Sequence, residues 1–178
     1  MSRRLLLVLA AGVLAADCGY SLVGRGITTD PSVKRIGVPL FKDNTGKLGL
    51  DTRVTAAVIE ELVKRGRFTV VKDATNVDAV VEGEILAYNA VPVDYTKSDS
   101  GGQSSALASR FATTIVAKVV YRKLGQTEPI WENESFSQRD EFDMSETAQG
   151  YFDREEQSIE RLSQTFARGL VSAMLEAF

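Results

Sequence analysis

From Leu107 to Lys123 the sequence alternates without a break. Phe111, Thr113, Ile115, Ala117, Val119 and Tyr121 fall on one side. Arg110, Ala112, Thr114, Val116, Lys118, Val120 and Arg122 fall on the other. A period of two held this long predicts one long β-strand with a packed face and a mixed face. It has to belong to a sheet covered on one side and wet on the other. Asp78 to Tyr88 repeats the pattern, with Ala79, Val81, Gly83, Ile85 and Ala87 on the apolar side and Val80, Glu82, Glu84, Leu86 and Tyr88 on the mixed side.

Cover for such a sheet is supplied by two segments of helical period. Leu50, Val54, Ala57, Val58 and Leu62 make one face of a helix. Asp51 is the expected N-cap and Gly66 the expected stop. Glu60 and Glu61 each have a cation four residues on, Lys64 and Arg65, and read as a solvated face. Near the C-terminus Ile159, Leu162, Phe166, Leu170, Met174 and Phe178 make a second stripe, with Asp153, Glu155 and Glu156 in its first turns.

Shorter strands are expected at Tyr20 to Gly26, at Val33 to Phe41 with Ile36, Val38 and Leu40 alternating, at Phe68 to Val71, and at Pro129 to Phe136. Ser98 to Ser105, with Gly101 and Gly102 inside it, reads as a flexible hairpin loop. Asp140 to Gly150 reads as a polar connection. The order β-β-α-β-β-β-β-α predicts an α+β two-layer sandwich: a mostly antiparallel sheet of four or more strands, with both helices packed on one face.

The N-terminus has a different character. Arg3 and Arg4 precede the apolar run Leu5 to Leu14, which is followed by Ala15-Ala16-Asp17-Cys18. Ten apolar residues span about half a bilayer core, which fits a secretory signal better than a permanent span. Cys18 lies where the lipobox of bacterial lipoproteins carries the cysteine that becomes the acylated N-terminus, and the segment resembles that pattern. Asp17 departs from it, since Gly, Ala or Ser usually stands there. The alternative is cleavage after Ala15 or Ala16. The resemblance divides the chain into a signal peptide, 1–17, and a single domain, 18–178, anchored by lipid at Cys18. Gly19 after the cysteine resembles the pattern that permits export to the outer membrane.

Composition removes several classes of function. The chain has no histidine, so it has no His-based triad and no His-containing zinc site. One cysteine leaves no internal disulfide and no thiolate cluster. A net charge of −3 argues against sequence-independent nucleic-acid binding. Gly101-Gly102 lacks the Lys and Ser/Thr of a phosphate loop. No cofactor and no metal are expected. A carboxylate pair, Glu82 and Glu84, shares one strand face, but such pairs on an open sheet more often decorate a polar surface.

Taken together, Cys18-Gly19-Tyr20-Ser21-Leu22, Ile36-Gly37-Val38-Pro39-Leu40-Phe41-Lys42-Asp43-Asn44-Thr45, Gly49-Leu50-Asp51, Glu61 to Phe68, Asp78 to Ile85 and Ile130-Trp131-Glu132 resemble the LptE family of lipopolysaccharide-assembly lipoproteins. The order of these segments carries the resemblance more than any single one. It implies a non-enzymatic subunit of the outer membrane that faces the periplasm. Such a subunit plugs and helps assemble the LptD β-barrel and contacts lipopolysaccharide in transit. A related possibility is an accessory lipoprotein of another envelope complex, similar to curli-secretion subunits, which share an Ile-x-Val-Pro-x-Phe strand before a Leu-rich helix.

A phosphorylated lipid calls for Lys or Arg beside apolar surface. Arg110, Lys118 and Arg122 share one strand face with Val116 and Val120 and are the candidate lipopolysaccharide ligands. The competing reading makes them charges that keep an exposed sheet soluble.

Overall fold

A computed structural model describes residues 32–100, 103–144 and 147–176. The elements are β1 (Arg35–Gly37), β2 (Lys42–Asp43), α1 (Leu50–Lys64), β3 (Thr69–Val71), β4 (Ala79–Ser100), β5 (Gln103–Lys123), β6 (Pro129–Asp143) and α2 (Ala148–Glu176). Cys18, the expected strand at Tyr20 to Gly26, Gly101-Gly102 and Phe178 lie outside the described residues.

The fold is the expected α+β sandwich, and its sheet is mixed. Six strands run in the order β3-β1-β4-β5-β6, with β2 also paired to β4. β4, β5 and β6 are antiparallel neighbours. β1 is parallel to both β3 and β4, and β2 is parallel to β4. The parallel part follows from α1, which carries the chain back between β2 and β3 so that the next strand starts at the same end.

Both helical stripes pack on the same side of the sheet. Leu50, Val54, Val58 and Leu62 of α1, and Ile159, Leu162, Phe166, Leu170 and Met174 of α2, close over Val81, Ile85, Ile115, Ala117, Val119 and Tyr121. All these side chains are buried. α1 stops as expected, with Gly66 at φ +66° and its amide bonded to the Val63 carbonyl at 2.9 Å. Its N-cap is Gly49, not Asp51, which lies inside the first turn and accepts the Thr52 amide at 2.7 Å. Glu60–Lys64 and Glu61–Arg65 form the expected surface pairs at 2.8 and 3.3 Å.

Four further expectations fail locally, each for a definable reason. The strand at Val33 to Phe41 is broken at Pro39, which has no amide for the ladder. After the break Phe41 points inward and Leu40 is 58% exposed. Leu86 is a bulge in β4, so Tyr88 moves from the mixed face to the helix-covered face, opposite Ile115. Ser98 to Ser105 is not a loop: backbone pairing continues to Ser100↔Gln103. Nor is Asp140 to Asp143 a connection, because β6 runs on to Asp143 and the buried Phe142 stacks on Phe111 at 5.7 Å. Among the described residues no helix is long and apolar enough to cross a membrane.

β4 and β5 outrun everything around them. β2 leaves β4 at Ile85 and β6 leaves β5 at Arg110, while β4 and β5 stay paired as far as Ser100↔Gln103. The result is a two-stranded arm whose base lies beside the start of α2.

Candidate functional site

β5 keeps its alternation from Arg110 to Arg122, so the three sequence-derived cations do share the open face. They do not share one site. At about 3.3 Å per residue, Lys118 and Arg122 stand roughly 13 Å apart, and Arg110 lies roughly 26 Å beyond Lys118.

Each is engaged by carboxylates on a neighbouring strand. Arg122 holds Glu82 through both oxygens at 3.0 Å. Lys118 meets Glu134 at 2.6 Å and Glu132 at 3.6 Å. Arg110 meets Asp143 at 3.0 Å. Hydrogen bonds to Glu82, Glu134 and Asp143 respectively raise the pKa of each cation above its ordinary value. Such cross-strand pairs offset the charge of an exposed sheet and contribute little to stability where solvent screens them. Glu82 and Glu84 are likewise engaged, Glu84 by the Asn44 side-chain amide at 2.7 Å.

Lys118 borders a shallow depression of about 370 Å³ on this face, with Leu40, Lys42 and Val120 around it. Its two lysines are matched by Glu82 and Glu84 in the same wall, so the depression has no excess of either charge.

Arg110 is in different company. It lines a cavity of about 370 Å³ at the base of the arm, together with Phe142, Arg154, Gln157, Arg161, Glu141 and Asp143. β5 and β6 supply one wall and α2 the other. Arg154, Gln157 and Arg161 recur at i, i+3 and i+7, so one stripe of α2 faces the cavity. That spacing is visible in the sequence. What is not visible is that β6 extends far enough to bring Asp143 and Phe142 opposite it.

Arg161 holds Asp140 at 2.7 Å, and Arg154 makes no ion pair among the described residues. A guanidinium carries five N–H donors, so Arg110 and Arg161 keep donors beyond those their carboxylates occupy.

Exposed apolar side chains stand on the elements that meet at the base of the arm. Phe152 is 60% exposed, Leu107 59% and Tyr95 56%, and Met144 is also exposed beside Ser109, whose carbonyl accepts its amide at 2.8 Å. Phe111, Phe142 and Tyr151 pack beneath them with ring centroids 5.2–5.7 Å apart. Arginine donors on elements that also carry exposed aromatic and aliphatic side chains suit an anionic amphiphile.

Comparison with known proteins agrees with the architecture. In structure the chain is similar to a Caulobacter crescentus protein described as a lipoprotein, with a TM-score of 0.52 at 8% identity, over 78% of this chain and 88% of that one. It is also similar to a Xanthomonas campestris protein, with a TM-score of 0.50 at 12% identity, over 80% and 84%. At such identities the likeness is one of fold. No curated protein matches by sequence. The sequence profile of the lipopolysaccharide-assembly family LptE matches residues 33–174, from just before β1 to nearly the end of α2. Since that match takes in both helices, every strand and the cavity between β6 and α2, the chain belongs to the LptE family.

Proposed function

We propose that the protein is an outer-membrane lipoprotein, anchored at Cys18, that plugs and helps assemble an LptD-type β-barrel and assists insertion of lipopolysaccharide into the outer leaflet. Membership of the family, over residues 33–174, is the observation that carries this reading. The family is one of non-enzymatic lipoproteins, generally associated with the outer membrane. The form of the molecule supports the plug. A compact sandwich with a polar open sheet face suits the polar lumen of a wide barrel. Ser32, the first described residue, and the arm lie at opposite ends of β5, since Ser32 accepts Lys123 Nζ at 2.8 Å where that strand ends.

Lipopolysaccharide contact is assigned to the arm-base cavity, through Arg110, Arg154 and Arg161 with Phe152 and Leu107 on the same elements. Lys118 and Arg122, each engaged by glutamates, form a second candidate patch on the same strand. The reading includes no cofactor, no metal and no nucleic acid.

A mild-detergent pull-down of the tagged full-length protein from its outer membrane tests the partner. One large β-barrel recovered in near-equal amount is the expected result. Recovery of self-oligomers or of another envelope complex would overturn the translocon assignment and favour an accessory role elsewhere in the envelope.

A further inference from the structure

α2 is held in two different ways along its length. From Ser158 onward its inner face is buried against the sheet and α1, through Ile159, Leu162, Phe166, Leu170 and Met174. Before that, of residues 149–157 only Glu155 is buried. The turns that bring Arg154 to the cavity have their apolar attachment through the half-buried Tyr151, whose ring packs on Phe111 and Phe142.

Glu155 supplies a second, polar attachment. It is 6% exposed and accepts a hydrogen bond from Tyr88 Oη at 2.8 Å. Lys47 Nζ reaches the same oxygen at 2.8 Å and lies 5.2 Å from the centroid of the Tyr88 ring. One buried carboxylate thus joins β4, the loop between β2 and α1, and the early turns of α2. Tyr88 reaches it only because the Leu86 bulge turns that ring to the helix side. Arg53 and Glu156 add an exposed ion pair between α1 and the next residue of α2. A carboxylate buried this far is tolerable only while its partners stay in place, so the clasp has one geometry.

We propose that Glu155, clasped by Tyr88 and Lys47, is a positioning residue: it fixes the early turns of α2, and with them Arg154 and Phe152, at the distance from Arg110 and Phe142 that the amphiphile requires. The inference rests on the assignment of lipopolysaccharide to the arm-base cavity. It adds that the cavity's shape is set by three residues that do not touch the ligand. A helix end freed from its clasp samples other positions, and ligand affinity falls by the fraction of time the cavity is misassembled.

The test uses the full-length chain in detergent, with purified lipopolysaccharide as the probe. A double variant, Lys47→Met with Tyr88→Phe, is compared with the unaltered chain. The expected result is a Kd raised about tenfold, with faster amide exchange over 149–157 and unchanged exchange over 159–175. Glu155→Asp, which keeps the charge on a shorter stem, is expected to recover part of the affinity lost in Glu155→Ala. If the double variant loosens 149–157 or lowers the melting temperature while the folded protein binds as tightly as before, the clasp is structural only and the proposal is overturned. Failure of the underlying assignment looks different: Arg154→Ala with the clasp intact would then bind as well as the unaltered chain.

Discussion

The ring of Phe41 occupies the space that a side chain on Gly83 would fill: a Cβ built there clashes with the ring's Cδ2, Cε2 and Cζ atoms. Phe41 is 1% exposed, and its amide donates to Thr55 Oγ1 on α1 at 3.0 Å. The contact therefore locks the broken strand to both β4 and the first helix. It also explains why the break is tolerated. From Pro39 to Phe41 the chain is off the ladder, and the ring holds this stretch on the sheet until β2 resumes the pairing at Lys42.

Gly83→Ala is accordingly expected to overpack the site and lower stability by about 1–3 kcal/mol. Phe41→Ala is expected to lower it by about 3–5 kcal/mol through the cavity it leaves. The double variant should cost less than the sum, because the second change relieves the clash introduced by the first. Urea midpoints of the three variants check this. A neutral Gly83→Ala would mean that the ring moves aside freely.

Acid sensitivity should be traceable to Asp78. Its Oδ2 accepts the amides of Lys34 and Arg35, both at 2.8 Å, and these bonds hold its pKa below the ordinary carboxylate value. A folded pKa below the unfolded one contributes stability that is complete above the unfolded value, about pH 4, and is lost as pH falls through the folded one. Asp78→Asn should therefore melt lower than the unaltered chain at pH 7, with the two melting curves converging on acidification. A constant gap from pH 7 to pH 2 would show that charge is not involved. Asp73, lowered by its hydrogen bonds to Thr75, titrates in the same direction and is the control.

The layers of this fold are legible in the sequence because period decides them. The alternation of 107–123 and the stripes of α1 and α2 read directly as the two sides of one interface. What period does not reveal is where it slips. Pro39 swaps Leu40 for Phe41, and the Leu86 bulge swaps Ala87 for Tyr88, each through a single residue whose effect depends on the neighbouring strand. The arm was masked by composition. Ser98 to Ser105 is polar, and a polar stretch with two glycines reads as a loop even where, as at Ser98–Ser100 and Gln103–Ser105, the backbone is paired. The same cause hid the cavity: Arg154 and Arg161 lie on the polar face of a helix, and only the extra length of β6 gives that face something to oppose.

The two cation patches, one on the open face of β5 and one at the cavity between β6 and α2, make opposite predictions. Arg122→Glu places a carboxylate against Glu82, so it should lower stability by about 0.5–1 kcal/mol and leave lipopolysaccharide affinity unchanged within twofold. Arg154→Glu breaks no ion pair among the described residues, so stability should hold, while affinity falls about tenfold or more through charge reversal beside Arg110. Melting temperatures and equilibrium binding on the same two variants decide the matter. If Arg122→Glu weakens binding and Arg154→Glu does not, the ligand belongs on the open sheet face, with Lys118 as its second contact.

Anchoring should depend on Cys18 and be slowed by Asp17. Two or three acyl chains, at about 0.8 kcal/mol per buried CH₂, hold a protein on a bilayer stably, whereas one short apolar segment removed by cleavage holds nothing. Cys18→Ser should therefore move the protein from the membrane to the soluble periplasmic fraction, with its fold unchanged. Intact-mass measurement of the unaltered protein should show a chain of 161 residues, from Cys18 to Phe178, plus its acyl groups. The lipobox position before the cysteine is served by small residues, and Asp17 is larger and charged. Asp17→Ala should then shorten the lifetime of the precursor in a pulse-chase without changing the final product. A mature chain beginning at Ala16 or Asp17, and carrying no acyl mass, would instead mean that cleavage follows Ala15 or Ala16 and that contact with the barrel alone keeps the protein at the membrane.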